Sequence, residues 1–379
     1  MTEAVAKPAG TGLRNVAVSE SRISSIDGER GILAYRGIDI HELAASSSFE
    51  ETSFLLHEGR LPRRGELADF TALLVKERTV ADGVLAVARQ IPRHTHPMTT
   101  LRTVVSALGA DGKDADDDSP EAVARKSQRL IAQMATLVAA LDRIRRGLHP
   151  LGPDSRLSHA ANFLYMLRGE RPSEAAARNF DVALVLHADH EFNASTFAAR
   201  VAASTLADVH GAVTAAVATL KGPLHGGANE AVMKTLEAIG APERVDAWVE
   251  TALAQKQKIM GFGHAVYKTE DPRATHLRKM SKALGEETGE TKWYAMSERM
   301  EALVKAKKGL NPNVDFYSAS AYRSLGIPTD LFTPVFAVSR IAGWTAHVRE
   351  QLANNKLIRP EADYQGPRNV RYVPLAERG

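Results

Sequence analysis

From about residue 39 onward, apolar residues recur at helical spacing through nearly the whole chain, and start and stop signals bracket the periodic runs. A fold built on a large sheet cannot accommodate that pattern. Ser48 and Glu51 are spaced as a capping box ahead of Phe54, Leu55 and Leu56, and Gly59 followed by Pro62 ends that helix. Ser119 and Pro120 suit the N-cap and first position of a long helix reaching about Arg146. Pro172 with Glu174, and Pro242 with Glu243, start two more. One β signal precedes the helices: "SRISSIDGERGILAYRGI" sets Asp27-Gly28 between short, partly alternating runs, which predicts two strands joined by a tight turn. The expected fold is mainly all-α with a small N-terminal β-hairpin. Within it, residues 211–220, "GAVTAAVATL", are small or apolar on every face and predict a rigid central helix buried all round, with a subunit contact as one role for it.

Composition narrows the chemistry. At 379 residues the chain can form two domains, or one with a large insertion, and 44% apolar with 25% charged residues is an ordinary globular balance. Without cysteine there is no disulfide, no thiolate nucleophile, no iron-sulfur cluster and no cysteine zinc site. A formal charge of +3 with mixed signs suits anionic small substrates better than nucleic acid. The densest cationic run, "RIRRGLH" at 143–149, lacks interleaved aromatics and reads as a solvated helix end. The first dozen residues read as a loose segment without an apolar signal core, and no later run suits a membrane, so a cytoplasmic protein with no membrane or nucleic-acid partner is expected.

Four stretches and two arginines carry candidate chemistry. "LHADHEFNAST" gathers His187, Asp189, His190 and Glu191; a metal pair, a buried hydrogen-bonded histidine and a substrate contact are all open readings. "GPLHGGANEAV" holds His225 among glycines, so that a ligand can approach imidazole and backbone, or the turn is merely structural. "KIMGFGHAVYKTEDPRA" sets Gly261, Phe262 and Gly263 before His264. It lacks the strand and third glycine of a dinucleotide fingerprint, yet its N–H groups with Lys256, Lys258 and Lys268 suit an anionic cofactor. "NPNVDFYSAS" places Asp315 between Val314 and Phe316, where burial would raise its pKa and make it a base, a helix cap being the competing role. Arg340 and Arg359 lie among apolar residues, and a buried arginine requires an anionic partner.

Taken in order, "ADHEFNAST", "GPLHGGANEAV", "GFGHAVYKTEDPRA", "NPNVDFYSASAY" and "FAVSRIAGWTAHVREQ" with "LIRP" resemble the citrate synthase family over nearly the whole chain. The resemblance implies a two-domain helical homodimer, with a large domain in two segments, 1–221 and 329–379, the second ending in a C-terminal arm, and a small domain at 222–328. It implies condensation of acetyl-CoA with oxaloacetate and hydrolysis of the citryl thioester, with acetyl-CoA as co-substrate, no tightly bound cofactor and no metal. Asp315 would be the base, His225 the donor to the thioester oxygen, and His264 the acid on the oxaloacetate carbonyl. His190, Arg273, Arg340 and Arg359 would bind oxaloacetate, Arg359 reaching into the partner subunit's site. Lys258, Ile259, Met260, Gly261 and Phe262 match the segment that holds CoA, and Lys268 would meet a CoA phosphate. Ala265 stands where many bacterial relatives carry arginine, which bears on the CoA side alone. The alternatives are 2-methylcitrate synthase, acting on propionyl-CoA, and a non-catalytic helical dimer that binds acidic metabolites; a binding module would have no use for a base at Asp315.

Overall fold

A computed structural model of the chain describes residue 13, residues 16–110, 112 and 114, and residues 117–379. The first dozen residues and much of the acidic stretch before Ser119 lie outside the described residues. Sixteen α-helices and one three-stranded antiparallel sheet are present among the described residues. The expected hairpin is there: β1 (Ser24–Asp27) pairs with β2 (Ile32–Tyr35), Ser24 facing Tyr35 and Asp27 facing Ile32. The turn is a four-residue loop and not a two-residue one. Asp27 Oδ1 accepts from the N–H groups of Glu29 and Arg30, at 3.1 and 3.0 Å, and Gly31 takes the left-handed conformation. A short third strand, β3 (Ile38–Asp39), was not anticipated; two residues carry no readable period.

The helix signals map closely. α1 (Ile40–Ser46) is capped by Asp39, and α2 (Phe49–Glu58) by Ser48, which accepts from Glu51 N–H, with Gly59 left-handed at its end. After α3 (Arg64–Glu77), α4 (Asp82–Gln90) and α5 (Pro97–Ala110), Ser119 caps the 26-residue α6 (Pro120–Arg145), with Pro120 in its first turn. Its terminal cations serve the helix end. Arg145 and Arg146 pair with the buried Asp142, and Arg143 Nε donates to His149 O. Next come α7 (His159–Arg168), α8 (Glu174–His187), α9 (Ala194–Ser204) and α10 (Val209–Leu220). The chain continues with α11 (Ala228–Ile239) and α12 (Val245–Ala254), where Pro242 opens a short 3-10 turn before α12 itself. α13 (Pro272–Thr288), α14 (Thr291–Lys308), α15 (Val314–Ser324) and α16 (Phe332–Ala353) complete the set. No helix among the described residues is long and apolar enough to cross a membrane.

The central helix differs from the expected one. α10 buries Ala212, Val213, Ala216, Val217 and Leu220, while Thr214, Ala215, Ala218 and Thr219 are only half-buried and Gly211 is exposed. Small side chains that could be buried everywhere need not be. The central element is α16, buried continuously over 332–348 and packed on α6, α9, α2, α8 and α10. Gly343 brings it onto the end of α8: its N–H donates to Ala188 O at 3.1 Å, and a Cβ there would stand 2.4 Å from that same oxygen. The Gly343→Ala variant is therefore expected to lose about 1 to 3 kcal/mol, read as a lower urea midpoint at unchanged m. An unchanged midpoint would show that this contact is not tight.

Candidate active site

The site is assembled where α8 ends. Arg340 Nε donates to His187 O at 2.7 Å, Ser339 Oγ donates to Leu184 O, and Tyr35 O–H donates to Asp189 O at 2.9 Å. Two of the last carbonyls of α8 are thus held by α16, and Tyr35 of β2 holds the carbonyl of Asp189 just beyond it, which fixes the 188–193 connection. Asp189 is buried, accepts a hydrogen bond from the Ser24 hydroxyl and has His347 Nε2 at 3.3 Å. His190 follows, buried, with Nε2 at 3.1 Å from Tyr267 O–H. His187 turns into the core, where its Nδ1 donates to Ala183 O at 2.7 Å, so the two histidines do not share a face. Among the described residues no group of three or more side chains is arranged to hold a metal ion.

His225 is set by a second anchor. Gly226 N–H donates to Leu220 O at 3.0 Å, Thr333 Oγ1 donates to Gly226 O at 2.9 Å, and a Cβ on Gly226 would fall 2.4 Å from Leu220 O. The glycine after the histidine therefore serves close backbone packing on α10, not ligand access as the sequence suggested. The imidazole Nε2 meets Ser195 Oγ at 2.8 Å and Ser195 N–H at 3.3 Å. A backbone N–H can only donate, so Nε2 accepts and the proton sits on Nδ1. Trp344 Nε1 donates to the same Ser195 oxygen at 3.1 Å. Burial, then repulsion from Arg340, pushes the His225 pKa down to about 4, so the ring is neutral at physiological pH.

The third segment joins His264 to Asp315. Phe262 bridges Pro312, Gly263 N–H donates to Asn311 O and Asn313 N–H to Gly261 O, both at 2.9 Å. Gly261 is left-handed, and a Cβ there would meet Val232 and Phe316 side chains under 3.0 Å. The glycine-rich loop thus packs on the strand-like 311–313 run, and its Gly263 N–H is not free for an anion. His264 Nδ1 accepts from the N–H groups of Val266 and Tyr267, at 3.0 and 3.2 Å, which leaves the proton on Nε2. Burial, then Arg273, lowers its pKa to about 4. The His264 ring lies 5.4 Å from that of His190, edge to face, and Tyr267 stands against both. His190 is itself held well below the usual histidine range by burial and then by Arg273.

Asp315 lies in the first turn of α15, its N–H capped by Asn313. The helix-cap reading fails, because the cap is Asn313. Oδ1 of Asp315 is buried without a hydrogen-bond partner, and burial, opposed by Arg273, pushes its pKa up to about 7. Arg273 and Arg340 are both buried. Arg273 pairs with Asp271 through Nε and Nη2, at 2.9 and 2.8 Å, and Asp271 also accepts from Val314 N–H at 3.1 Å. Arg340 has no carboxylate within 4.0 Å among the described residues; it rests on the Phe336 ring at 4.6 Å. Burial lowers its pKa to about 10. A buried charge without a carboxylate partner is suited to meet an anion.

The remaining expected residues divide. Lys258, Ile259 and Phe262 line a cleft of about 410 Å³ that also contains His264; Met260 and Gly261 do not line it. Lys268 pairs with Glu29 at the hairpin tip and donates its N–H to Gly28 O at 2.9 Å. Arg359 is exposed beyond α16 and forms no ion pair within the described chain. Ser195, Tyr267, Asp271 and Trp344 were missed. Only Asp271 left a readable trace, as the Asp-Pro that caps α13.

Neutral imidazoles with fixed tautomers, an unpartnered carboxyl and a buried guanidinium without a carboxylate partner are the groups that proton transfer on an anionic substrate requires of an enzyme site. The chain belongs to the citrate synthase family: the family model for "Citrate synthase, C-terminal domain" matches residues 12–361. It is 51% identical to citrate synthase 2 of Bacillus subtilis over 97% of this chain and 98% of that one. It is 40% identical to 2-methylcitrate synthase 2 of Corynebacterium glutamicum over the full length of both. The structure of Thermoplasma acidophilum citrate synthase in ternary complex with carboxymethyl coenzyme A and oxaloacetate matches with a TM-score of 0.90 at 34% identity, covering 97% of this chain and 98% of that chain.

Proposed function

We propose that the protein condenses acetyl-CoA with oxaloacetate and hydrolyses the citryl thioester to citrate and CoA. The observation that carries this reading is the combination of Asp315, buried with a free Oδ1, and two neutral imidazoles whose protons lie on known atoms. A thioester methyl is a very weak carbon acid, so a carboxylate needs help from a donor at the forming enolate oxygen. Asp315 takes the methyl proton while His225 Nδ1–H donates to the thioester oxygen. The enolate carbon attacks the oxaloacetate carbonyl, and His264 Nε2–H protonates the developing alkoxide. Arg340 and the remaining amino group of Arg273 hold the oxaloacetate carboxylates beside His190. Water then cleaves the thioester.

The cleft lined by Lys258, Ile259 and Phe262 is the entry for CoA, and residues 222–328 form the smaller domain. Arg359 completes the site of a second copy. Two features support that assembly: the half-open small-residue face of α10, and the segment after α16, which exposes Leu357, Tyr364, Val370 and Tyr372 without cover from its own chain. The test is release of free CoA, followed with a thiol-trapping reagent, from acetyl-CoA and separately from propionyl-CoA, with and without oxaloacetate. The chain has no cysteine to add background. Oxaloacetate-dependent release favouring acetyl-CoA is expected. Because one methyl discriminates by only about 1 to 3 kcal/mol, some turnover of propionyl-CoA is expected too. A preference for propionyl-CoA would make the chain a 2-methylcitrate synthase, and release from neither would remove the catalytic reading.

A further inference from the structure

A second cleft, of about 270 Å³, lies between the α4–α5 connection and the C-terminal end of α6. Its walls are apolar, from Ile91, Leu141, Ile144 and Leu148 among others. The basic side chains on it are Arg89, Arg93, Arg145 and His149, and no carboxylate lines it. Arg145 is neutralised from outside the lining, by Asp142 and by both oxygens of Asp330. Arg89, Arg93 and His149 have no carboxylate within 4.0 Å among the described residues. Arg93 also lies across the turn that ends α6. Gly147 there is left-handed, with φ 76°, and Arg93 Nη1 stands 3.1 Å from where its Cβ would be. Thr95 and Thr100 add hydroxyls to the same cleft.

We propose that this cleft binds a small organic dianion, a phosphomonoester or dicarboxylate of a few carbons, at a site separate from the catalytic one. Size excludes a dinucleotide, since pockets for drug-sized ligands start at about 300 Å³. The apolar wall suits a short carbon body, and the excess of cations suits its charge. The position suits an effector. The α4–α5 connection carries His96, whose Nε2 lies 3.3 Å from Glu230 Oε2 in α11, the helix that follows His225. On the other flank, Arg145 holds Asp330, just before α16 and Arg340. A ligand drawing on Arg93 and Arg145 therefore touches the supports of both catalytic segments.

The test is calorimetric titration of the intact protein with glycerol 3-phosphate and separately with succinate, the binding at this cleft being the part that Arg89→Gln and Arg93→Gln weaken, since neither variant touches the catalytic cleft. At least one probe is expected to bind, and which one does identifies the ligand class. Both Arg89→Gln and Arg93→Gln are expected to weaken it by about tenfold or more, the effect of losing a charged hydrogen bond. CoA release without the probe should be unchanged, since both arginines lie on the surface and outside the catalytic machinery. Failure of both probes to bind the wild type at millimolar concentration, or unchanged binding by the Arg89→Gln/Arg93→Gln double variant, would overturn the proposal.

Discussion

Replacing Asp315 with asparagine is expected to lower kcat by about a thousandfold and, at the same time, to stabilise the protein at pH 8. General-base catalysis typically contributes about 10²- to 10⁴-fold, and here no other carboxylate takes its place: Asp271 is committed to Arg273 and to Val314 N–H. The stability gain follows from the same burial. The folded pKa, about 7, lies above the unfolded value, so between about pH 4 and 7 the folded chain holds a proton that the unfolded chain has released. Stability therefore falls as pH rises through that window, and the cost of the buried charge persists above it. Asparagine has nearly the same shape and no charge, which relieves a cost on the order of 2 to 4 kcal/mol. Tm of Asp315→Asn should exceed that of wild type at pH 8, with the difference vanishing near pH 4. In the wild type, kcat/KM should fall about tenfold for each pH unit below 7, where the base becomes protonated. An Asp315→Asn variant with normal turnover would remove Asp315 as the base, and one with lowered Tm at pH 8 would show that its carboxylate is stabilised in the fold.

That coupling of function to cost explains what the sequence discloses. Helix ends are local features. Ser48, Ser119 and Gly59 act on N–H and C=O groups within four residues, so their positions are legible in the chain itself. Burial is a property of what packs on an element from elsewhere. Residues 211–220 look suited to a core on every face, yet the buried spine is α16, which carries Arg340, His347 and Thr345 in its interior. Arg78 makes the same point. It lies in the polar run "VKERTV" and is nonetheless buried, with Nη1 on the carbonyls of Asp154 and Leu157. The proposed catalytic trio, His225, His264 and Asp315, stands out because glycines and apolar neighbours around a polar side chain are locally visible. Ser195, Tyr267 and Trp344 are not, because each matters through a partner on a distant segment. Tautomers are the finest case: whether His225 carries its proton on Nδ1 or Nε2 depends on a single backbone N–H thirty positions away in the chain.

Arg340 gives the second large effect, and here the expected change is in binding. Its guanidinium is buried, donates Nε to His187 O, lies on Phe336 and has no carboxylate partner within the described chain. Its pKa, lowered to about 10, records that the folded protein holds this charge against a penalty when no anion is bound. An oxaloacetate carboxylate removes that penalty, so the free energy appears as affinity. Arg340→Met keeps most of the stem and deletes the charge. Losing one member of a buried charge pair costs about 2 to 5 kcal/mol, so the Kd for oxaloacetate should rise by roughly thirtyfold to several thousandfold. Without ligand the variant's Tm should change little, because relief of the unmatched charge offsets the loss of the bond to His187 O. The discriminating measurement is the rise in Tm on adding oxaloacetate. A ligand that binds only the folded state raises Tm in proportion to the logarithm of its concentration over Kd, so wild type should show a clear shift and Arg340→Met almost none. An equal shift in both would place the substrate carboxylate elsewhere and leave Arg273 as the cation that holds it.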